Sequence, residues 1–288
     1  MENFGRNDYD LDLGDFNVLW AGFTPILVPS NFTHEEEKYL LASQLTLALG
    51  NSSVDNVLKK YLSDFGENES SSEKKSDIIQ EVINFAKIEC EILIKKLNEI
   101  SFDDNGTTSD FAADVTFRRL TTTIKSIHFH IKFGYYYESL TLIRLFLEQL
   151  AYAFTISQTH VLKSSDIVSP TRSINHLKKV LPTCGKLYGI LSKYSHIDIS
   201  TINKYLTSFE QQPAIIKHSI IYSLESALFY LNVLEYQNIV FEICFKKYLI
   251  TFSAINYNSK NESFQVNDPN PQFMKLKEHL LETLKNHR

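Results

Sequence analysis

From Leu224 to Phe252 the residues Leu224, Ala227, Leu231, Leu234, Asn238, Phe241, Phe245, Tyr248 and Phe252 recur at alternating steps of three and four. Only a helix places such positions on one face. A two-stranded coiled coil would be polar off this seam, yet Leu228, Phe229, Val233, Ile239, Val240, Ile243 and Leu249 lie there. The segment is therefore expected to be a central core helix, buried on most faces. Asn238, the polar interruption, needs an internal hydrogen bond or marks a dimer contact. With only 9 Gly and 7 Pro in 288 residues, a sandwich, barrel or propeller lacks its turns, and an all-α multi-helix bundle is expected.

The rest of the chain divides accordingly. Thr33 caps HEEEKYLLASQLTLAL, whose glutamates fill the first turn, and Ser53 to Asp64 is a second helix. From Glu73 to Ile100, the residues Ile78, Val82, Phe85, Ile88, Ile92 and Leu97 trace one face. Phe111 to Phe133 and Tyr135 to Gln158 flank Gly134 as an αα-hairpin. RSINHLKKVL follows Ser169-Pro170, CGKLYGILSKYSHI follows Pro182, and Phe273 to Asn286 is the last helix. GENESSSE (66 to 73), SFDDNGTTSD (101 to 110) and INYNSKNESFQVNDPNPQ (255 to 272) read as linkers or loops. The expected organisation is an N-terminal helical extension over 1 to 105 and a bundle over 106 to 288.

Cys90, Cys184 and Cys244 are widely spaced and odd in number, which points to a reduced, cytoplasmic setting. The N-terminus is acidic where a signal peptide is basic. Val18 to Val28, interrupted by Pro25, falls short of the about 20 residues of a membrane span, so no membrane segment is expected. The net charge of −5 argues against a general nucleic-acid binder. Its distribution is uneven: Arg172, Lys178, Lys179, Lys186 and Lys193 give the window from Ile167 to Ile197 a charge of +5 with no acidic residue, leaving −10 elsewhere.

Two constellations carry candidate chemistry. In YYYESLTLIRLFLEQLAYAF, Leu140, Ile143, Leu147, Leu150 and Phe154 form one apolar face, and Leu142, Leu145, Phe146, Tyr152 and Ile156 cover most of the remainder. Tyr137, Thr141, Arg144, Glu148 and Thr155 share the strip left over. Arg144 and Glu148 are then half-buried charges in need of partners: an internal ion pair, or functional groups. On the basic helix, Tyr188, Ser192 and His196 follow at steps of four beside Lys193, with Asp198 just beyond. A His at a helix C-terminus favours the protonated form, suited to phosphate contact or general acid work, or to capping carbonyls. Arg172 and His176 form a similar pair, either for an anion or as a solvated face. His128 and His130 diverge by about 200° on a helix, and zinc, P-loop and nucleophile-elbow motifs are absent. No metal or cofactor is expected.

The segments GYYYESLTLIRLFLEQLAYAF and LYGILSKYSHID resemble those of uncharacterised bacterial helical proteins distantly related to the HEPN superfamily, over roughly Thr108 to Phe252. The resemblance implies a HEPN-like bundle, and for many members a metal-independent RNase in toxin-antitoxin or antiviral defence systems. HEPN RNases leave four to six residues between an Arg and the catalytic His. Counting back from His196, those positions hold Gly189, Ile190 and Leu191, so Arg144 or Lys193 would have to supply the cation.

Two functions follow. As an RNA-directed module, His196 is general acid and base, Arg144 stabilises the phosphorane, Glu148 orients one of them, and Tyr188, Ser192, Lys193, Arg172 and His176 hold substrate. As a non-catalytic protein-interaction or dimerisation module, the same residues form a network that sets helix register. The partners expected are RNA or a protein of the same system, and a second copy in a homodimer.

Overall fold

The computed structural model describes residues 16–21, 24–29, 31–50, 53–63, 70–102, 106–158, 169–196, 206–207, 215–216 and 220–286. The acidic N-terminus and Asp198 of the sequence reading lie outside them. The architecture is an all-α bundle with short antiparallel hairpins, and it divides into two compact units, Met1–Gln80 and Glu81–Arg288. The division falls well before the 105/106 expected from loop composition.

In the first unit β1 (Phe16–Ala21) pairs with β2 (Thr24–Pro29), Trp20 opposite Pro25. α1 (His34–Leu49) starts in a capping box: Thr33 Oγ1 accepts from the Glu36 N–H, and Glu36 accepts from the Thr33 N–H at 2.7 Å. α2 (Val54–Tyr61) is capped by Ser53, and Leu41, Ala42, Val57 and Leu62 form the local core. α3 (Ser70–Glu99) crosses the division, so its helix already includes the SSSE of the expected linker.

In the second unit α3 buries Val82, Phe85 and Leu97 of the expected face but leaves its two middle isoleucines outside. Ile88 and Ile92 are 52% and 43% exposed, while Phe85, Glu89, Leu93 and Leu97 are buried. Glu89, buried on this side of the helix, accepts a hydrogen bond from Asn238 Nδ2, which satisfies the seam's polar residue inside the protein.

α4 (Thr108–Lys132) and α5 (Tyr136–Ser157) pack as the expected hairpin. Gly134, at φ 69°, lets the Gly134 and Tyr135 N–H groups donate back to Ile131 and His130. That closes α4 in a Schellman motif, which an L side chain at positive φ would strain. α6 (Pro170–Leu177) and α7 (Cys184–Ser195) lie against α5. β3 (Leu206–Thr207) and β4 (Ile215–Ile216) form a minimal ladder. α8 (Ile220–Cys244) is the central helix, packed on α4, α5 and the last helix, α9 (Pro271–Lys285). Leu224, Ala227, Leu231, Leu234, Phe241 and Phe245 are buried, as are the off-seam Val233, Ile239, Val240 and Ile243.

One expected loop is a hairpin. β5 (Ile255–Asn258) pairs with β6 (Ser263–Val266), Ile255 opposite Val266 and Tyr257 opposite Phe264. These four side chains turn inward, and Asn256, Asn258, Ser263 and Gln265 are exposed, a period of two hidden among polar residues. The buried Glu242 carboxylate anchors the hairpin by accepting from the N–H groups of Ser253, Ala254 and Ile255 at 2.8 to 3.1 Å.

By length and composition α5 could cross a membrane, but 67% of its apolar window is buried inside the protein, as in a core helix.

Candidate functional site

Burial of Leu140, Ile143, Leu147 and Leu150 turns the strip with Arg144 and Glu148 towards α7. α7 in turn buries Cys184, Leu187 and Leu191, which sets Tyr188 against that strip. Arg144 Nε donates to Glu148 Oε1 at 3.0 Å. Arg144 Nη2 donates to the Tyr188 hydroxyl at 3.2 Å, and that hydroxyl donates on to the same Glu148 oxygen at 3.0 Å. The guanidinium also lies 5.2 Å from the centroid of the Tyr188 ring, a cation–π contact.

The fourth member is His196, the residue capping the C-terminus of α7. Its Nε2 lies 2.9 Å from Arg144 Nη1. A guanidinium has no lone pair to offer, so Nε2 accepts and the ring proton sits on Nδ1. Burial alone would lower the pKa of Arg144, but the bond to Tyr188 and the charge of Glu148 outweigh it and hold the guanidinium above its ordinary value. The side chains of Arg144 and Glu148 are 19% and 18% exposed and His196 is exposed, so the cluster is open to solvent at one end.

The other residues singled out in the sequence do not join this cluster. Ser192 Oγ is buried without a hydrogen-bond partner. Lys193 and Arg172 point into solvent with Lys178, Lys179 and Lys186, and His176 is half-buried on α6. Arg172 contributes its backbone N–H to the Ser169 cap. α6 and α7 thus carry an exposed basic surface beside the cluster rather than a second closed site.

Two features escaped the sequence reading. Tyr136, Tyr137 and Tyr194 pack edge-on or tilted where the start of α5 meets the end of α7, and Tyr222 stacks on Tyr136 at 4.8 Å. Between α4 and α5 an open groove of about 310 Å³ is lined by Val115, Thr116, Arg119, Glu148, Gln149 and Tyr152. Tyr152, expected to cover the helix core, is 38% exposed there. An Arg-Arg doublet at 118–119 was the available signal, and it reads like any solvated helix face.

Among the described residues no three His, Cys, Asp or Glu side chains converge as a metal site. His128 is instead a buried core residue: burial, then the nearby Lys87 charge, lowers its pKa to about 3, and its Nε2 meets Tyr230 OH at 2.9 Å. No family model, curated protein or solved structure matches this chain.

Proposed function

We propose that the chain is an RNA-directed, HEPN-like helical module of a bacterial phage-defence or toxin system, cleaving phosphodiesters without a metal. The observation that carries this reading is the 2.9 Å contact between Arg144 and His196. It brings a guanidinium to the histidine from a neighbouring helix, where Gly189, Ile190 and Leu191 offer none along the chain.

A phosphate entering beside His196 competes for Arg144 Nη1 and frees the Nε2 lone pair. Nε2 then takes the proton of the 2′-OH as O2′ bonds to phosphorus and the P–O5′ bond breaks, and the imidazolium returns that proton to the leaving O5′. Arg144 neutralises charge developing on the phosphorane oxygens, and Glu148 and Tyr188 position Arg144. The exposed cations of α6 and α7 attract the backbone. Buried, free cysteines accord with a cytoplasmic setting.

The second reading, a non-catalytic interaction or homodimerisation module, draws on the same geometry: Arg144 already has partners at Nε, Nη1 and Nη2, as a purely structural network would. Total cellular RNA incubated with wild type and His196→Ala in excess chelator separates the two. Cleavage by wild type alone is expected. Intact RNA in both lanes overturns the cleavage reading in favour of the interaction module.

A further inference from the structure

The groove between α4 and α5 shares Glu148 with the cluster but is otherwise built from residues with no part in it. Arg119 is exposed and has no ion pair or hydrogen bond among the described residues, so its guanidinium is available to an anion. Tyr152, four residues after Glu148 and so on the same face, offers part of its ring to solvent. Gln149 is only 8% exposed. Thr123 Oγ1 donates to its carbonyl oxygen at 3.3 Å, which leaves the amide Nε2 as a buried donor with no partner. Buried donors left unpaired are rare in native proteins and call for a partner.

We infer that this groove holds one nucleotide unit next to the Arg144–His196 cluster. The base stacks on Tyr152, the Gln149 Nε2 amide donates a hydrogen bond to an acceptor on the base edge, and the phosphate lies on Arg119. The volume of about 310 Å³ is at the small end of ligand clefts, which run from about 300 to 1,000 Å³, and suits one base with its ribose at the mouth. The pairing of a ring with an unpaired cation is the chemistry of single-stranded nucleic acid recognition. This inference rests on the RNA reading of the adjoining cluster, and it names the contact that holds the strand.

The test measures binding rather than cleavage. A fluorescein-labelled single-stranded 12-mer oligoribonucleotide in chelator is titrated with the full chain by fluorescence anisotropy, and AMP is added as competitor. Tyr152→Ala is expected to weaken oligonucleotide binding about 10-fold, in the range of one lost stacking contact. Arg119→Gln lowers the salt dependence by about one phosphate contact. Lys275→Gln, an exposed change on α9, leaves binding unchanged, and circular dichroism verifies the fold of each variant.

Competition by AMP that depends on Tyr152 supports the groove as a site for free nucleotide. Oligonucleotide binding that depends on Tyr152 and resists AMP supports the strand as its source. Unchanged affinity in both variants, or no binding of either probe by wild type, overturns the inference and leaves this face to a protein. Binding with no cleavage keeps the groove and sinks the RNase reading; cleavage with unaltered affinity in both variants does the reverse.

Discussion

Arg144 Nη1 and His196 Nε2 lie 2.9 Å apart although 52 positions separate them in the chain. The contact depends on the packing of α7 on α5, and the guanidinium holds the ring through a fork that lysine cannot reproduce. His196→Ala is expected to lower RNA cleavage by about 10²- to 10⁴-fold, the usual worth of a general acid–base group. Arg144→Lys should fall nearly as far, because the three bonds leave from three separate nitrogens of the planar guanidinium, and a single ammonium nitrogen does not span Glu148, Tyr188 and His196. Initial rates on a denaturing gel in chelator measure both, and an Arg144→Lys rate equal to wild type would remove Arg144 from the chemistry.

Tyr188→Phe keeps the ring under the guanidinium and deletes only the hydroxyl that joins Arg144 to Glu148. The expected loss is about 0.5–1.5 kcal/mol of stability, that of a typical internal hydrogen bond, together with slower cleavage. Urea unfolding reads the first. Unaltered stability and unaltered cleavage together would show that the hydroxyl does not position Arg144.

The acid limit of stability should carry the signature of His128. Its pKa is about 3 in the folded protein against an ordinary 6.5, first from burial and then from Lys87. The unfolded chain takes up a proton near 6.5 that the folded chain refuses, so stability falls as pH drops from about 6.5 towards 3. His128→Gln retains a hydrogen-bonding group for Tyr230 and does not titrate. Urea midpoints at pH 7, 5.5 and 4.5 should converge between variant and wild type as the pH is lowered; parallel curves would place His128 in a less buried setting.

Asp110 makes a prediction in the same direction from a different cause. Burial would raise its pKa, but bonds from Lys247 at 2.8 Å, from the Thr107 N–H and from the Tyr248 hydroxyl outweigh that and lower it. Its contribution is present above the ordinary carboxyl range and is lost as pH falls through the depressed folded value. Lys247, raised in turn because the Asp110 bonds outweigh its own burial, contributes below its ordinary range and loses that contribution in strong alkali. Asp110→Asn is expected to cost about 1–3 kcal/mol near neutrality, with the difference from wild type shrinking in acid. Guanidinium unfolding at several pH values measures it, and a difference independent of pH would show that charge is not what Asp110 supplies.

What the sequence reveals, and what it conceals, follows from which forces are local. The α8 seam is legible because a 3.6-residue period is written into Leu224, Leu231 and Leu234 themselves, and Gly134 announces the α4–α5 turn through its backbone freedom. On α3, Val82, Phe85 and Leu97 are legible in the same way, but the burial of Glu89 in place of Ile88 and Ile92 is not, because its partner Asn238 is 149 positions away. Likewise, Arg144 and Glu148 can be placed together by helical spacing alone. That His196 meets them depends on how two separate helices pack, which no period records. Arg119 and Tyr152 have the composition of any surface helix, and only the groove between α4 and α5 sets them apart.

Glu242 imposes a limit on how far the chain can be cut back. Its carboxylate is wholly buried near the end of α8, and apart from Lys96 its hydrogen bonds come from Ser253, Ala254 and Ile255. A fragment ending at Ile250 would contain every residue of the cluster and the groove, yet would leave an anion sealed in the core with the Lys96 ammonium, at 3.4 Å, as its one remaining partner among those named. The smallest piece able to fold around the candidate site must therefore run at least to Ile255, the first residue of β5.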